Sequence, residues 1–481
     1  MHLVVISYEF TFSPFSGNGI LSRSLVKSLL QLDPVQKVTV LCCRPYNVTC
    51  GLSIATATTT TTASSDRHLE PPEIQTDSAE LRVYAVELKA EQQWRCLDIN
   101  CAWRDFCSQR LPPSDCSQLL QDVASCDAAL VVDWTGAHAW RLLQERLQEK
   151  ELVHGRQQHT PMVYFNFRVY SLGAKENHEF YNDMESRALD EAGAIIALSE
   201  TDRDALQQLL GSAGKCLHRT IHVLVPPLRG DIYQLATSSS STAAIHQDLP
   251  AEVRRVVEAN QSDDPRIFVT CIARLGREKQ VARFAQFVAE TPELWHNDNN
   301  NTTSPRLTPL LVGAASDPEY AIAVTSALRN TCPTAIVIQD RFLSARELAA
   351  VLAHTRLNVH PCAYEAYGMT IVEAAAFGVP SVILSRHVGA LATLGDEAAI
   401  LVDSSATVVD QKTEREDDRW DNSMMIATIR EVLGNPAMLL KIGQRSRAAA
   451  LAWHEESYGE AVLSRVEALV SEGNGRSFAS S

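Results

Sequence analysis

The sequence lacks a long apolar run, and no stretch approaches the ~18 apolar residues of a membrane-spanning helix. It also lacks an excess of positive charge, because 43 basic residues stand against 58 acidic ones and the formal net charge is −15. This balance argues against nucleic acid or an anionic membrane surface as the main partner. We therefore expect no nucleic-acid partner and no integral membrane segment.

The sequence also lacks any Cys-x2-Cys pair, although it contains 12 cysteines. Without that spacing a zinc site is not expected, and the irregular positions of the cysteines are typical of reduced thiols in a cytosolic protein. No basic segment precedes the first strand-like run, His2 to Ser7, so a signal peptide is not expected either. The sequence predicts a cytoplasmic protein.

Composition and length indicate a globular protein with more than one domain. Hydrophobic residues make up 45% of the chain and charged residues 21%, which is ordinary for soluble globular proteins. A chain of 481 residues is too long for a single core and suits two or three domains.

The stretch from Val359 to Glu373 carries the most chemical information. An apolar run predicts a strand that ends near Val359, a loop broken by Pro361 follows, and a helix begins near Met369. Glu365 then lies in the strand-to-helix loop and Glu373 within the helix. Ligands of parallel sheets collect at the carboxyl ends of the strands, and a helix N-terminus attracts anions. These residues alone favour a nucleotide or sugar site, with ordinary surface charges as the alternative.

The order of residues in this stretch resembles the Glu-x7-Glu signature of retaining glycosyltransferases of family 4, which have the GT-B fold. The matching residues are Pro361, Glu365, Tyr367, Gly368, Glu373, Ala374, Phe377, Gly378, Val379 and Pro380. The resemblance implies an α/β protein with two Rossmann-like domains and a cleft between them.

The same resemblance sets the expected domain boundaries. Residues 1–230 would form the N-terminal, acceptor-side domain, and a helix over 453–470 would pack back on it. Residues 231–265 would form a linker or insertion. Residues 266–450 would form the domain that binds the nucleotide-sugar.

The family also implies roles for the residues of the signature. Glu373 would bind the ribose hydroxyls of the donor. Glu365, with the backbone of Tyr367 and Gly368, would hold the hydroxyls of the transferred sugar, and Met369 and Thr370 complete the donor-binding segment.

Further donor contacts are expected outside the signature. Arg274 and Lys279 match the family's Arg-x4-Lys clamp on the leaving diphosphate, and we count them with Glu365 as the catalytic residues. Gly17 and Gly19, in the turn after the first strand, would let the backbone approach the phosphates. The turn formed by Arg341, Phe342 and Leu343 is the candidate for holding the base.

The chain departs from its relatives near Asp133. Many relatives carry a histidine just before this aspartate, close to the transferred sugar, whereas Val131 and Val132 stand here. His138 is the nearest substitute. Three polar residues after the next predicted strand could dock an acceptor with an anionic group, with ordinary solvated loop residues as the alternative: Arg168, Tyr170 and Lys175. The Trp- and Cys-containing region 92–113 is a candidate for the acceptor-side wall.

The resemblance predicts a retaining hexosyltransferase that needs no metal. Its donor would be a UDP- or GDP-sugar, a substrate rather than a cofactor, and no separate cofactor is expected. The acceptor would be a carbohydrate, a lipid or a small molecule. Two alternatives remain open: a nucleotide-sugar epimerase or phosphorylase on the same fold, and a non-catalytic nucleotide-sugar-binding or scaffold protein.

Overall fold

The computed structural model describes residues 1–10, 17–44, 53–57, 79–87, 113–149, 160–173, 178–212, 220–238, 246–260, 264–295, 307–339, 341–402 and 422–476. The chain divides into two compact units. The first comprises Met1–Pro227 with Glu455–Ser481, and the second comprises Leu228–His454. Lys175 and the candidate acceptor-side wall, apart from Pro113, lie outside the described residues.

The described part of the first unit contains one sheet. Its strands are β1 (His2–Ile6), β2 (Lys37–Arg44), β3 (Ser53–Ala57), β4 (Glu80–Glu87), β5 (Ala128–Val132), β6 (Met162–Asn166), β7 (Ala194–Ala197) and β8 (Ile221–Val223). Their order is β3-β4-β2-β1-β5-β6-β7-β8. The pairs are parallel, except that β3 runs antiparallel to β4.

The described part of the first unit also contains helices. They span Gly17–Leu30, Pro113–Ser125, Asp133–Glu149, Tyr170–Gly173, His178–Glu191, Glu200–Ser212 and Glu455–Arg476. The last of them joins the first unit through polar contacts of Glu455, which accepts a hydrogen bond from Ser24 Oγ at 3.0 Å and pairs with Lys27 at 3.0 Å.

The central strands of this sheet are almost entirely buried. Leu3, Val4, Val5 and Ile6 of β1 have no exposed surface, and every residue of β5 is buried. A parallel sheet covered on both faces requires this pattern, because neither set of alternating side chains faces water. The apolar runs seen in the sequence follow from it.

The described part of the second unit contains a second parallel sheet. Its strands are β9 (Phe268–Ile272), β10 (Thr308–Val312), β11 (Ile336–Ile338), β12 (Thr355–His360), β13 (Ser381–Ile383) and β14 (Ile400–Leu401). Their order is β11-β10-β9-β12-β13-β14, and every neighbouring pair is parallel.

The helices of the second unit span Gly230–Thr237, Ala251–Ala259, Ala282–Glu290, Pro292–Trp295, Pro318–Thr331, Ala345–Ala353, Met369–Ala376, Ala390–Leu394, Ser423–Leu433 and Pro436–Ala452, with 3₁₀ turns at Arg277–Lys279 and Asp396–Ala398. The first two helices lie where the sequence predicts a linker over 231–265. They are short and bury few side chains, among them Ile232 and Val253.

Both units are thus Rossmann-like α/β structures, which confirms the predicted fold class. Apart from β3, which is antiparallel, the strands lie parallel in their sheets, and most successive strands are joined through helices, as in βαβ units. Within the described ranges, no helix is both long and apolar enough to cross a bilayer.

Candidate functional site

The second sheet has a topological switch point between β9 and β12. From β9 the chain proceeds through β10 and β11 toward one edge, and from β12 through β13 and β14 toward the other. The loops that leave the two central strands therefore diverge at their carboxyl ends, which is where open α/β sheets bind ligands. Arg274 and Lys279 follow β9, and Glu365 follows β12.

An ion pair between Lys279 and Glu365 joins these two loops. Lys279 Nζ donates to Glu365 Oε2, and the side chains are 16% and 18% exposed. Lys279 ends the 3₁₀ turn Arg277–Lys279, and Gln280 follows in a left-handed conformation with φ +49°. The turn therefore brings a cation to the switch point before the next helix begins.

Backbone contacts fix the loop that carries Glu365. Its N–H donates to the carbonyl of His387 at 3.1 Å, and the N–H of Gly389 donates to the carbonyl of Glu365 at 2.9 Å. A Cβ on Gly389 would lie 2.0 Å from the carbonyl oxygen of Ala366. Only glycine permits this approach, so the position of the carboxylate depends on Gly389.

Two further side chains surround the Glu365 carboxylate. His360 Nε2 lies 3.6 Å from Glu365 Oε2 and 3.1 Å from Cys362 Sγ. Burial alone would raise the pKa of Glu365, but Lys279 and His360 outweigh it and hold the pKa well below its ordinary value. Burial alone would lower the pKa of His360, whereas the Cys362 sulfur and Glu365 raise it to about 9. Two cationic groups therefore flank one carboxylate.

Arg274 has a different partner from Lys279. Its Nη2 lies 3.3 Å from Glu278 Oε1, four residues along the chain, and its side chain is 23% exposed. The two members of the predicted clamp therefore both lie after β9, one paired within its own loop and the other with Glu365.

Gly368 begins the helix Met369–Ala376 in a left-handed conformation with φ +88°. This positive φ favours glycine, because side chains with a Cβ rarely adopt it. Tyr367, just before it, is buried, while Met369 and Thr370 are partly exposed at the first turn.

Glu373 lies inside this helix and is paired with Arg229. Arg229 Nη1 donates to Glu373 Oε1 at 3.0 Å, and Arg229 Nη2 donates to Asp231 Oδ2 at 2.6 Å. Burial raises the pKa of Glu373 although Arg229 counteracts it. No local pattern marks Arg229 in the sequence, where it falls within the predicted first domain, residues 1–230.

The predicted base-binding turn follows β11. Arg341 Nη2 lies 2.7 Å from Glu347 Oε1, and Ser344 and Glu347 form a capping box at the start of the helix Ala345–Ala353. Phe342 is 46% exposed and Leu343 is partly buried. The capping box holds the turn in place and leaves an aromatic ring facing solvent.

The first unit contains a small cavity at its own switch point, between β1 and β5. Polar and aromatic side chains dominate its lining, which consists of Ser7, Tyr8, Glu9, Asn18, Val132, Asp133, Trp134, Thr135 and Tyr170. This combination of hydroxyls, carboxylates, an amide and aromatic rings suits a hydroxylated ligand such as a sugar.

Asp133 is the most constrained residue of this cavity. It has φ +55° and accepts hydrogen bonds from Phe167 N at 2.7 Å, Asn18 Nδ2 at 2.9 Å and Tyr170 Oη at 3.3 Å. Burial raises its pKa to about 8, with Glu185 contributing in the same direction. Strain and a shifted pKa in a cavity together mark a functional candidate.

Four other described candidates of the first unit do not line this cavity: Gly17, Gly19, His138 and Arg168. Gly17 is exposed at the start of its helix, and the N–H of Gly19 donates to the carboxylate of Glu9 at 3.1 Å. The Arg168 guanidinium lies 6.0 Å from the centre of the Tyr170 ring. His138 lies in the second turn of Asp133–Glu149 and does not line the cavity.

Comparison with known proteins agrees with this architecture. Residues 226–454 match the family described as "Family 4 Glycosyltransferase in conflict systems", which confirms the family 4 resemblance over the second unit. No curated protein is significantly similar to the chain.

Solved structures of similar fold cover nearly the whole chain. Sucrose-phosphate synthase from Thermosynechococcus elongatus is 14% identical, with TM-score 0.65, over 98% of this chain and 100% of that one. Trehalose 6-phosphate synthase from Burkholderia multivorans is 14% identical, with TM-score 0.62, over 98% of this chain and 99% of that one. Anabaena HepE in complex with UDP and glucose is 14% identical, with TM-score 0.60, over 97% of this chain and 100% of that one. These likenesses show that the chain has the GT-B fold.

Proposed function

We propose that this chain is a hexosyltransferase that moves a hexose from a UDP- or GDP-sugar to a carbohydrate, lipid or small-molecule acceptor, with retention of the anomeric configuration. The observation that carries the proposal is the Lys279–Glu365 ion pair at the switch point of the second sheet. At this position the Lys279 ammonium can bind a diphosphate, and the Glu365 carboxylate can accept hydrogen bonds from sugar hydroxyls. A protein of similar fold, HepE, was solved in complex with UDP and glucose, which supports a nucleotide-sugar as the donor.

The cationic groups would stabilise the leaving diphosphate. Lys279 and the guanidinium of Arg274 lie on the same loop after β9, and negative charge grows on the diphosphate as the bond to the sugar breaks. Such preorganised charge is often the largest contribution to catalysis. Because these side chains can supply the countercharge, the proposed transfer needs no metal ion.

Glu365 and Glu373 would bind the hydroxyls of the donor. When a diphosphate binds the Lys279 ammonium, it replaces the Glu365 carboxylate as the partner of that ammonium. The carboxylate can then accept hydrogen bonds from the transferred sugar. Glu373 would accept from the ribose, and Arg229 would orient it through their contact at 3.0 Å. The exposed ring of Phe342 and the neighbouring backbone are the proposed base contacts.

The reaction would proceed by attack on the same face from which the diphosphate leaves. The bond between the anomeric carbon and the phosphate oxygen breaks, a bond from that carbon to the acceptor oxygen forms, and the acceptor proton passes to the departing phosphate. No protein nucleophile is required. The cavity at Asp133 and Tyr170 in the first unit is the proposed acceptor site.

A thermal-stability screen of nucleotide-sugars tests the proposal, because a ligand that binds only the folded state raises the melting temperature. We expect at least one UDP- or GDP-sugar to raise the Tm of the wild type and to leave the Tm of Glu373→Ala unchanged. Nuclear magnetic resonance of the product would then show the retained anomeric configuration. A screen in which no nucleotide or nucleotide-sugar stabilises the protein would refute the proposal.

A non-catalytic nucleotide-sugar-binding protein is the second candidate. The buried Val131 and Val132 favour it, since they stand where many relatives carry a histidine. Slow hydrolysis of the bound donor distinguishes the two functions: the enzyme releases UDP or GDP over hours, whereas the binding protein returns the donor intact.

A further inference from the structure

Three chemically different donor atoms meet beside the Lys279 ammonium. His360 Nε2 and Cys362 Sγ are 3.1 Å apart, His360 Nε2 and Glu365 Oε2 are 3.6 Å apart, and Cys362 Sγ and Glu365 Oε2 are 3.9 Å apart. All three atoms thus lie within the mutual reach of one metal ion. We call His360, Cys362 and Glu365 the HCE triad.

The distances between the three donor atoms fit a metal ion with tetrahedral coordination. Metal–ligand lengths of about 2.0–2.3 Å at tetrahedral angles place pairs of ligand atoms about 3.3–3.6 Å apart. The three observed separations bracket that range, so small side-chain rotations would bring all three atoms into the first coordination sphere.

The donor set selects a particular class of ion. An imidazole nitrogen, a thiolate sulfur and a carboxylate oxygen together suit Zn²⁺ and similar borderline-soft cations, whereas Mg²⁺ and Ca²⁺ prefer oxygen ligands only. Three protein ligands leave a fourth position for water. His360 and Cys362 are buried, and Glu365 and Lys279 are partly exposed, so an ion would enter from the side of the carboxylate.

We propose that the HCE triad is an inhibitory binding site for Zn²⁺ or a chemically similar divalent cation. Glu365 Oε2 is the atom that pairs with Lys279, and a metal ion on that oxygen excludes the ammonium. Coordination also requires a thiolate and a neutral imidazole, so binding releases protons. The bound ion would occupy the carboxylate that the proposed mechanism assigns to the sugar and would displace the cation assigned to the diphosphate.

The site has no Cys-x2-Cys spacing, which explains why cysteine counting does not predict it. Its ligands follow the pattern His-x-Cys-x2-Glu, in which His360 ends β12 and the other two residues lie in the loop that follows. Metal binding is inferred from the geometry of the triad alone, whereas inhibition rests on the proposed function. The two parts therefore require separate measurements.

Cobalt spectroscopy tests the site itself. The full-length protein, freed of metal and kept reduced without thiols, is titrated with Co²⁺ and compared with Cys362→Ser and Cys332→Ser. Cys332 is a buried thiol of the same unit whose Sγ lies 3.3 Å from Thr334 Oγ1, a contact that serine can keep. We expect one tightly bound Co²⁺ with a near-ultraviolet thiolate-to-metal band in the wild type and in Cys332→Ser, and loss of that band in Cys362→Ser. An undiminished band in Cys362→Ser, or no band in the wild type, would overturn the site.

Calorimetric titration with UDP and measurement of nucleotide-sugar turnover test whether Zn²⁺ inhibits the protein. We expect one equivalent of Zn²⁺ to weaken UDP binding and to slow nucleotide-sugar turnover at least about tenfold in the wild type, and to do neither in Cys362→Ser. Unchanged UDP affinity and turnover in the zinc-loaded wild type would overturn the inhibitory role and leave the cobalt result standing. If the metal-free protein neither binds UDP nor consumes any nucleotide-sugar, the proposed function fails and inhibition with it, while the cobalt titration still decides the site.

Discussion

Arg229 and Glu373 form an ion pair at 3.0 Å although 144 residues separate them in the chain. The Glu373 side chain is 4% exposed and that of Arg229 16%, so most of the pair is shielded from water. Arg229 also bonds to Asp231 at the start of the helix Gly230–Thr237. The contact ties the beginning of the second unit to the helix that carries the second glutamate of the Glu-x7-Glu signature.

Removing Arg229 should destabilise the protein more than its charge alone suggests. Arg229→Ala leaves the Glu373 carboxylate buried without its partner, and we expect a loss of about 3 kcal/mol in the free energy of unfolding, measured by urea denaturation. Arg229→Ala combined with Glu373→Ala should cost less than the sum of the single changes, because the residues are coupled.

Arg430 provides the control for this comparison of single and double variants. It pairs with Glu293 at 2.8 Å, but both side chains are 50% exposed, so Arg430→Ala should cost at most about 1 kcal/mol. Additive effects at Arg229 and Glu373 would show that the contact contributes no coupling energy.

Lys279→Ala should reduce turnover far more than stability. The ammonium is assigned to the growing charge of the diphosphate, and loss of one such group typically slows the chemical step by about 10²–10³-fold. Steady-state release of UDP or GDP from the donor found in the thermal screen measures the effect, and urea denaturation measures stability.

Arg277 is the matched control for Lys279. It lies in the same 3₁₀ turn, is 52% exposed and pairs with Asp317 at 3.1 Å. Arg277→Ala should leave turnover within about twofold of the wild type. Equal losses for the two variants would point to disruption of the turn rather than to a role of the Lys279 charge.

The sequence predicted those parts of the site that depend on local order and on parallel strands. The apolar end of β12, the glycine before Met369 and the helix after it are all local signals, and the structure has each of them. Because the carboxyl ends of adjacent parallel strands meet at one edge, residues after β9 and β12 are brought close together.

Arg229, in contrast, was not predictable, because its partner lies in a distant segment and no local pattern marks the contact. The φ of +55° at Asp133 is likewise imposed by its tertiary contacts with Asn18, Phe167 and Tyr170. The choice of Glu278 as the partner of Arg274 depends on the conformation of a turn, which the sequence alone does not specify.

Asp133 should make stability depend on pH. Its pKa is raised from 3.8 to about 8 in the folded protein, so the folded state holds the proton more tightly than the unfolded state. This stabilisation is complete below pH 3.8 and is lost as the pH rises toward 8, with a slope that approaches about 1.4 kcal/mol per pH unit.

Asp133→Asn removes the titrating group, and asparagine tolerates the left-handed conformation. We expect its free energy of unfolding, measured by urea denaturation between pH 5 and 9, to fall less steeply with pH than that of the wild type. The variant should therefore gain stability relative to the wild type as the pH rises. Parallel curves for the two proteins would mean that Asp133 does not titrate in this range.

Gly389 should be indispensable for the loop that places Glu365. A Cβ there would lie 2.0 Å from the carbonyl oxygen of Ala366, a backbone atom that cannot move without shifting the loop, so Gly389→Ala should lower Tm and reduce donor binding at least tenfold. Gly211 lies in the helix Glu200–Ser212 with open space around it. Gly211→Ala should therefore leave donor binding unchanged and stabilise the protein by up to about 1 kcal/mol. Calorimetric titration with UDP and thermal unfolding of both variants measure these effects, and normal UDP affinity in Gly389→Ala would mean that donor binding does not depend on the position of Glu365.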